Sequence, residues 1–213
     1  MAGAMPIVIH IDAPASAIAR AAGAQAGDDP WTGGTVAPGQ FAPVVTAGRE
    51  AVAGPRPAAS PRRLTPRLWG VPPPPGAPDM SRAVLTVRNP DSPFWIGHLR
   101  NSEFRCLVPA TGLLEWNRLE SGGTDHEGRR RRHLMAPGHG ALMWLAAVWK
   151  DSEVPGFALM TAPPCPAYRA IGHSAMPLIL TEARAIHAWL HAAWHDTPRR
   201  SDAAGLGETE LPW

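Results

Sequence analysis

The chain has almost no lysine and almost no cysteine. Of its twenty cationic residues only Lys150 is lysine, and the other nineteen are arginine. That skew, beside so much alanine, reads as a GC-rich coding bias; arginine is also the side chain suited to bidentate phosphate contact, so a nucleic-acid partner stays open. The two cysteines, Cys106 and Cys165, lie 59 positions apart. They are too few for a disulfide framework and lack the CxxC spacing of a zinc site, and each is expected as a small buried apolar side chain. No run of 18 or more apolar residues occurs, and MAGAMPIVIHID has no basic residue ahead of its short apolar run. Neither a membrane span nor a secretory signal is read, and the cytoplasm is the default location. Also missing are a GxxxxGKS/T loop, a GxGxxG after a strand, GxSxG and HExxH. Their absence removes the common phosphate-loop, dinucleotide, hydrolase-elbow and zincin readings and leaves no cofactor implied.

What is present bounds the fold. At 213 residues and 22.7 kDa the chain suits one domain. Pro 25 and Gly 21 make about a fifth of the residues, which predicts long loops without reaching low-complexity composition. An apolar share of 45% with mean hydropathy −0.14 supports a buried core. The formal charge is +2.

Pattern reading predicts strands at 6–11, 41–46, 83–88, 105–108, 113–117, 133–136, 141–149, 156–161 and 176–180. Helices are predicted at 14–23, 93–100 and 181–191, the last with Ala185, Trp189 and Ala193 on one face. Residues 27–40 carry turn chemistry, 47–66 form an Arg/Pro/Ala-rich loop, four prolines from Pro72 to Pro75 stay extended, 119–131 is a polar loop, and the tail after Thr197 frays. Many short strands with about three helices give an α+β class.

Nine histidines are scattered along the chain. His187 and His191 stand at i, i+4 and could ligate a metal on one helix face, but no third ligand is evident, so no metal site is assigned. The run Arg129 to Arg132 could meet phosphate, and reads equally as a solvated loop.

Four stretches carry more. They are Thr35-Val36-Ala37-Pro38-Gly39-Gln40; Leu68-Trp69-Gly70-Val71-Pro72; Thr86-Val87-Arg88 with Phe94-Trp95 and then Arg105-Cys106-Leu107-Val108-Pro109-Ala110-Thr111-Gly112-Leu113-Leu114-Glu115-Trp116; and Ile171-Gly172-His173-Ser174-Ala175-Met176-Pro177-Leu178-Ile179-Leu180. In order and spacing they resemble the SOS-response-associated peptidase (SRAP) family of abasic-site processing proteins, with its NxAPTQ, RWGLIP, NAR…RCLVPADGFYEW and IHxRMPVIL motifs. The resemblance runs from about residue 6 to 190. It implies a single SRAP-like domain over 6–195, a mixed barrel-like sheet flanked by helices, with 1–5 as an extension and 197–213 as the tail.

The resemblance also implies covalent attachment to abasic sites in single-stranded DNA, through a cysteine that follows the initiator methionine, along with peptidase-type self-processing and lyase chemistry. Matching Ala13 to Arg20 to the family's first helix places that methionine at Met5 and Pro6 at the cysteine position. Thr35 and Thr86 replace the two motif asparagines, with Asn89 three residues beyond the second. The implied catalytic residues are Glu115, His173 and Pro6. The implied DNA contacts are Arg88 on a phosphate, Trp69 on a base, and Thr86, Asn89 and Pro38. Alternatives from the residues alone are a strand-edge Glu115 in water, a His173 hydrogen-bonded near the Met176-Pro177 turn, an Arg88 surface ion pair and a Trp69 packed in the core. The expected function is a monomeric abasic-site protein on single-stranded or gapped DNA, with covalent capture lost or altered. A DNA-binding pseudoenzyme and a decayed interaction protein compete with it.

Overall fold

A computed structural model describes residues 7–48, 61–119, 123–124, 126–202 and 205–211. Its strands are β1 (Val8–Ile11), β2 (Ala24–Gln25), β3 (Gly34–Val36), β4 (Phe41–Thr46), β5 (Arg62–Trp69), β6 (Thr86–Val87), β7 (Arg105–Ala110), β8 (Gly112–Trp116), β9 (Arg132–Pro137), β10 (Met143–Lys150), β11 (Gly156–Ala162), β12 (Met176–Pro177), β13 (Ile179–Leu180) and β14 (Leu206–Leu211). The helices are α1 (Ala15–Ala22), α2 (Ile96–Arg100), α3 (Pro166–Ala170) and α4 (Ala183–His191). The α+β class holds, with four helices where about three are expected.

The larger sheet closes on itself. Strands β11, β10, β7, β4 and β5 pair antiparallel in that order, and a short parallel pairing of Gly156 with Leu68 and Phe157 with Trp69 joins β5 back to β11. The short strands β2, β6, β12 and β13 fringe this barrel. Closure depends on a missing side chain: a Cβ at Gly156 would stand 2.1 Å from the Gly70 carbonyl oxygen, so only glycine lets the two backbones approach. One face of β4, β7, β10 and β11 carries Val44, Val108, Leu145, Phe157 and Leu159, all buried. Strands buried on both faces read as continuous apolar runs, which is why MWLAAVW and RCLVPA are unbroken.

The second sheet runs β14-β9-β8-β1-β3, antiparallel throughout. β1 alternates Ile9 and Ile11 inward. Gly23, in the left-handed region at φ 59°, caps α1 with its N–H on Ala19 and Arg20 carbonyls. Helix α4 lays Trp189 into the core, its Nε1 donating to the Cys106 carbonyl at 2.8 Å. Cys106 is buried in β7 and Cys165 is half-buried, and no disulfide joins them.

Three readings need correction. Residues 62–66 belong to β5 rather than to a loop, although 49–60 of that stretch lie outside the described residues. Pro66 is tolerated because it faces Pro43 across β4, and two rings that cannot donate fit a pair site where the ladder asks for no N–H. The tail is not frayed throughout, since β14 pairs along β9 from Leu206 against Pro137 to Leu211 against Arg132. The 83–88 strand shrinks to β6 plus a bridge from Val84 to Val71. The Arg129–Arg132 run stays at the surface with local partners: Arg129 pairs with Glu127 at 2.9 Å, Arg131 with Glu210 at 3.2 Å, and Arg130 donates to the Asn117 and Leu119 carbonyls.

Candidate active site

Alternation along β8 turns Leu113 and Glu115 to the same inward face, so a carboxyl enters the interior at 3% exposure. Its direct cross-strand neighbour is His133 on β9. Burial penalises the carboxylate and lifts the Glu115 pKa to about 7, while the Arg118 charge and the Tyr168 hydroxyl pull it down by less. Tyr168, the chain's one tyrosine, is fully buried on α3, and its own pKa is raised by burial and by Glu115.

His173 reaches the same place from the other side. After α3 the chain reverses at Gly172, φ +80°, where a Cβ would press within 3.0 Å of the Leu119 backbone nitrogen. The Arg118 N–H donates to the Ile171 carbonyl at 2.8 Å and the His173 N–H to the Tyr168 carbonyl at 3.0 Å. These bonds hold the ring with Nε2 2.9 Å from the Trp116 carbonyl oxygen and 3.8 Å from Glu115 Oε2. A carbonyl only accepts, so Nε2 carries a proton and the neutral ring leaves Nδ1 as the base. Burial lowers the His173 pKa below the usual imidazole value, opposed by the Trp116 bond, and Arg118 and His133 push the same way as burial. The sequence reading needed no shift here; the structure supplies one. At neutral pH the proton therefore favours the carboxyl over the imidazole.

The pair opens onto a cleft of about 690 Å³. Glu115, His173, Arg88, Thr86 and Asn89 line it together, with Arg82, Arg118 and Ile7. Three exposed arginines against a single carboxyl, itself only partly ionised near neutral pH, make the cleft electropositive. Asn89 stands with Thr86 as the spacing suggested, its Oδ1 accepting from the Asp91 N–H at 3.1 Å.

Other implied residues land elsewhere. Trp69 borders the cleft yet is fully buried, stacked on Phe157 with centroids 6.1 Å apart and donating from Nε1 to the Leu85 carbonyl at 3.2 Å. A ring with no exposed face cannot stack on a base, so the core-packing alternative is the one the structure supports. Pro38 sits in a turn pinned to β5 by Gly39 N–H on the Trp69 carbonyl, and does not line the cleft. Thr35 pairs with His10 at a separate hollow. Pro6 lies outside the described residues; Ile7 beside it in sequence lines the cleft. Lys150 is a half-buried amine 3.4 Å from the Phe94 ring centroid rather than a free surface group.

Sequence reasoning missed Arg82, Arg118 and Tyr168. Arg118, three residues past Glu115, was the most findable; Tyr168 meets Glu115 only through the fold. Among the described residues no three His, Cys, Asp or Glu side chains gather as a metal site, and no helix is long and apolar enough to cross a membrane.

The backbone is similar to solved structures, each at probability 1.00. A protein from Bacteroides thetaiotaomicron matches with TM-score 0.71 and 15% identity, over 96% of this chain and 91% of that one. A protein from Bordetella bronchiseptica matches with TM-score 0.69 and 15% identity over 98% and 100%, and a phage-related protein from the same organism with 0.68 and 16% over 97% and 94%. At such identities the likeness shows the fold. No curated protein matches in sequence. The family model for the SOS response associated peptidase (SRAP) matches residues 9–209. The chain therefore belongs to the SRAP family, a membership that supports a DNA-damage-associated, abasic-site processing role at the level of the family.

Proposed function

We propose that the cleft holds single-stranded DNA at an abasic site, with Arg88, Arg118 and Arg82 on the flanking phosphates and Glu115 and His173 on the ring-opened sugar. The observation that carries this reading is the buried pair, 3.8 Å apart, at the floor of an arginine-rimmed cleft. Glu115, about half protonated at pH 7, supplies a proton to the sugar oxygen as the ring opens, and the neutral imidazole of His173 takes one from carbon. Guanidinium groups neutralise phosphate without reading sequence, so binding is weakly sequence-dependent and strongly salt-dependent.

With Pro6 at the position of the family cysteine, the thiol that would close a stable ring on the aldehyde is missing. A mature chain starting at Pro6 would present a secondary amine. Such an amine condenses with the aldehyde to an iminium, losing water, and β-elimination followed by hydrolysis releases it. Lyase turnover without a lasting crosslink is the expected chemistry. The departure at Pro6 favours one second reading, a protein that grips the lesion without reacting.

Fluorescence anisotropy tests the shared part. A single-stranded oligonucleotide carrying a tetrahydrofuran abasic analogue should bind at low salt, weaken steeply as salt rises, and weaken again with Arg88→Ala. Binding that is undetectable at low salt, or indifferent to salt, would remove both DNA-directed readings.

A further inference from the structure

Strand β14 brings a carboxylate to His133, the cross-strand neighbour of Glu115. Glu208 on β14 meets His133 on β9 with Oε1 2.6 Å from Nδ1, and His133 is 4% exposed. On the other edge of the imidazole, Nε2 lies 3.4 Å from Asn117 Nδ2. The protons in this chain are determined. Asn117 Oδ1 accepts the Leu119 N–H at 3.0 Å, so the amide presents its NH2 to His133. His133 Nε2 must then accept, its proton sits on Nδ1, and Nδ1–H donates to the Glu208 carboxylate. Asn117 itself is buried, and Arg130 donates to its carbonyl at 3.3 Å and to that of Leu119 at 2.7 Å.

Asn117 sits between two groups the cleft uses. Trp116, just before it, offers the carbonyl that fixes the His173 tautomer at 2.9 Å. Arg118, just after it, lines the cleft while its N–H holds the Ile171 carbonyl. Neither His133 nor Glu208 lines the cleft.

We propose that Glu208 and His133 are positioning residues: they lock the Asn117 amide, and through it orient the Trp116 carbonyl toward His173 and hold Arg118 at the cleft mouth. The assignment rests on reading the cleft as the reactive site. Without Glu208 only the Asn117 NH2, at a long 3.4 Å from Nε2, still favours the proton on Nδ1, against the 2.6 Å contact that Glu208 supplies. Moved to Nε2, it would face the Asn117 NH2 donor to donor, and that contact would open. β14 itself stays paired through six residues, Leu206 to Leu211, so the change is local.

The test uses the full chain. Imidazole nitrogen NMR reads the tautomers of His133 and His173 in the wild type, Glu208→Gln and Glu208→Ala, with affinity for the tetrahydrofuran-containing single strand measured alongside. In the wild type His133 should carry its proton on Nδ1 and His173 on Nε2. Glu208→Gln, whose amide oxygen still accepts from Nδ1–H, should keep both tautomers and the affinity. Glu208→Ala should give mixed tautomers at both histidines and about tenfold weaker binding, since small misplacements of a positioned group cost factors of this order or more. The tautomer of His173 decides: if it stays wholly Nε2-protonated in Glu208→Ala, or if Glu208→Gln disturbs it as much, the proposal is overturned. Should the wild type fail to bind the oligonucleotide, the functional reading falls while the spectra still judge the positioning role.

Discussion

His173 gives its Nε2 proton to the Trp116 carbonyl at 2.9 Å and stands 3.8 Å from Glu115 Oε2. The buried acid and base are thus neighbours without being a bonded pair. A tight ion pair would hold both charges and depress the carboxyl; instead burial dominates, the carboxyl rises to about 7 and the imidazole falls. Near neutral pH about half of the carboxyl is protonated while the imidazole is neutral, so one population holds an acid and a base side by side.

The first prediction is a pH slope in stability. Between the ordinary carboxyl value of 4.5 and about 7, native Glu115 holds a proton that the unfolded chain has lost. Stability is therefore full below 4.5 and declines as pH rises through 7, by up to about 3 kcal/mol. His173 acts in the opposite sense: with its folded pKa lowered from 6.5, its contribution is present above 6.5 and is lost as pH falls through the lowered value. Urea denaturation from pH 5 to 8.5 should show Glu115→Gln gaining on the wild type toward alkaline pH. Parallel profiles would mean that water reaches the carboxyl.

Residual chemistry should be trappable. Borohydride should fix a protein–DNA adduct at a true abasic site when the mature chain begins at Pro6, and Glu115→Gln and His173→Ala should each slow strand cleavage by about 10²-fold or more. No heat-stable adduct should form without reductant, because the two thiols are internal. Denaturing gels separate these outcomes, and a reductant-independent adduct would show that another nucleophile acts.

Arg88 and Arg118 should contribute separately to binding. Each alanine variant should reduce the slope of log affinity against log salt by roughly 1, and the double variant by about 2. A single variant that abolishes the whole salt dependence would show that phosphate contact is not shared around the rim.

Closure of the barrel should be the fold's most sensitive point to a methyl group. Gly156→Ala places a Cβ 2.1 Å from the Gly70 oxygen, where both partners are backbone and cannot rotate away. A loss of about 3 kcal/mol or more is expected. A midpoint close to the wild type's would mean that the β5–β11 junction opens at little cost.

Trp69→Ala should behave as a core deletion, losing about 3 to 5 kcal/mol. Trp69→Phe, which keeps the stack on Phe157 and drops the bond to Leu85, should leave DNA affinity near the wild type's. A large affinity loss with unchanged stability would instead restore the base-stacking role.

The α+β class, most strands and the family were legible along the chain, and the motif resemblance picked out Glu115, His173, Arg88, Thr86 and Asn89, which line one cleft. Those features are local: apolar runs, β-branched residues and motif spacing are written along the chain. Tertiary structure decided what proximity across strands decides. It buried Glu115 opposite His133 and beside Tyr168, and so raised its pKa; it buried Trp69 against Phe157. It also turned an Arg/Pro-rich stretch into β5, because Pro66 could face Pro43, and a polar tail into β14, because Glu208 and Glu210 found His133 and Arg131. None of these pairings has a sequence signature, since each joins residues whose separation along the chain carries no period. Only the register of the sheets brings them within a hydrogen bond.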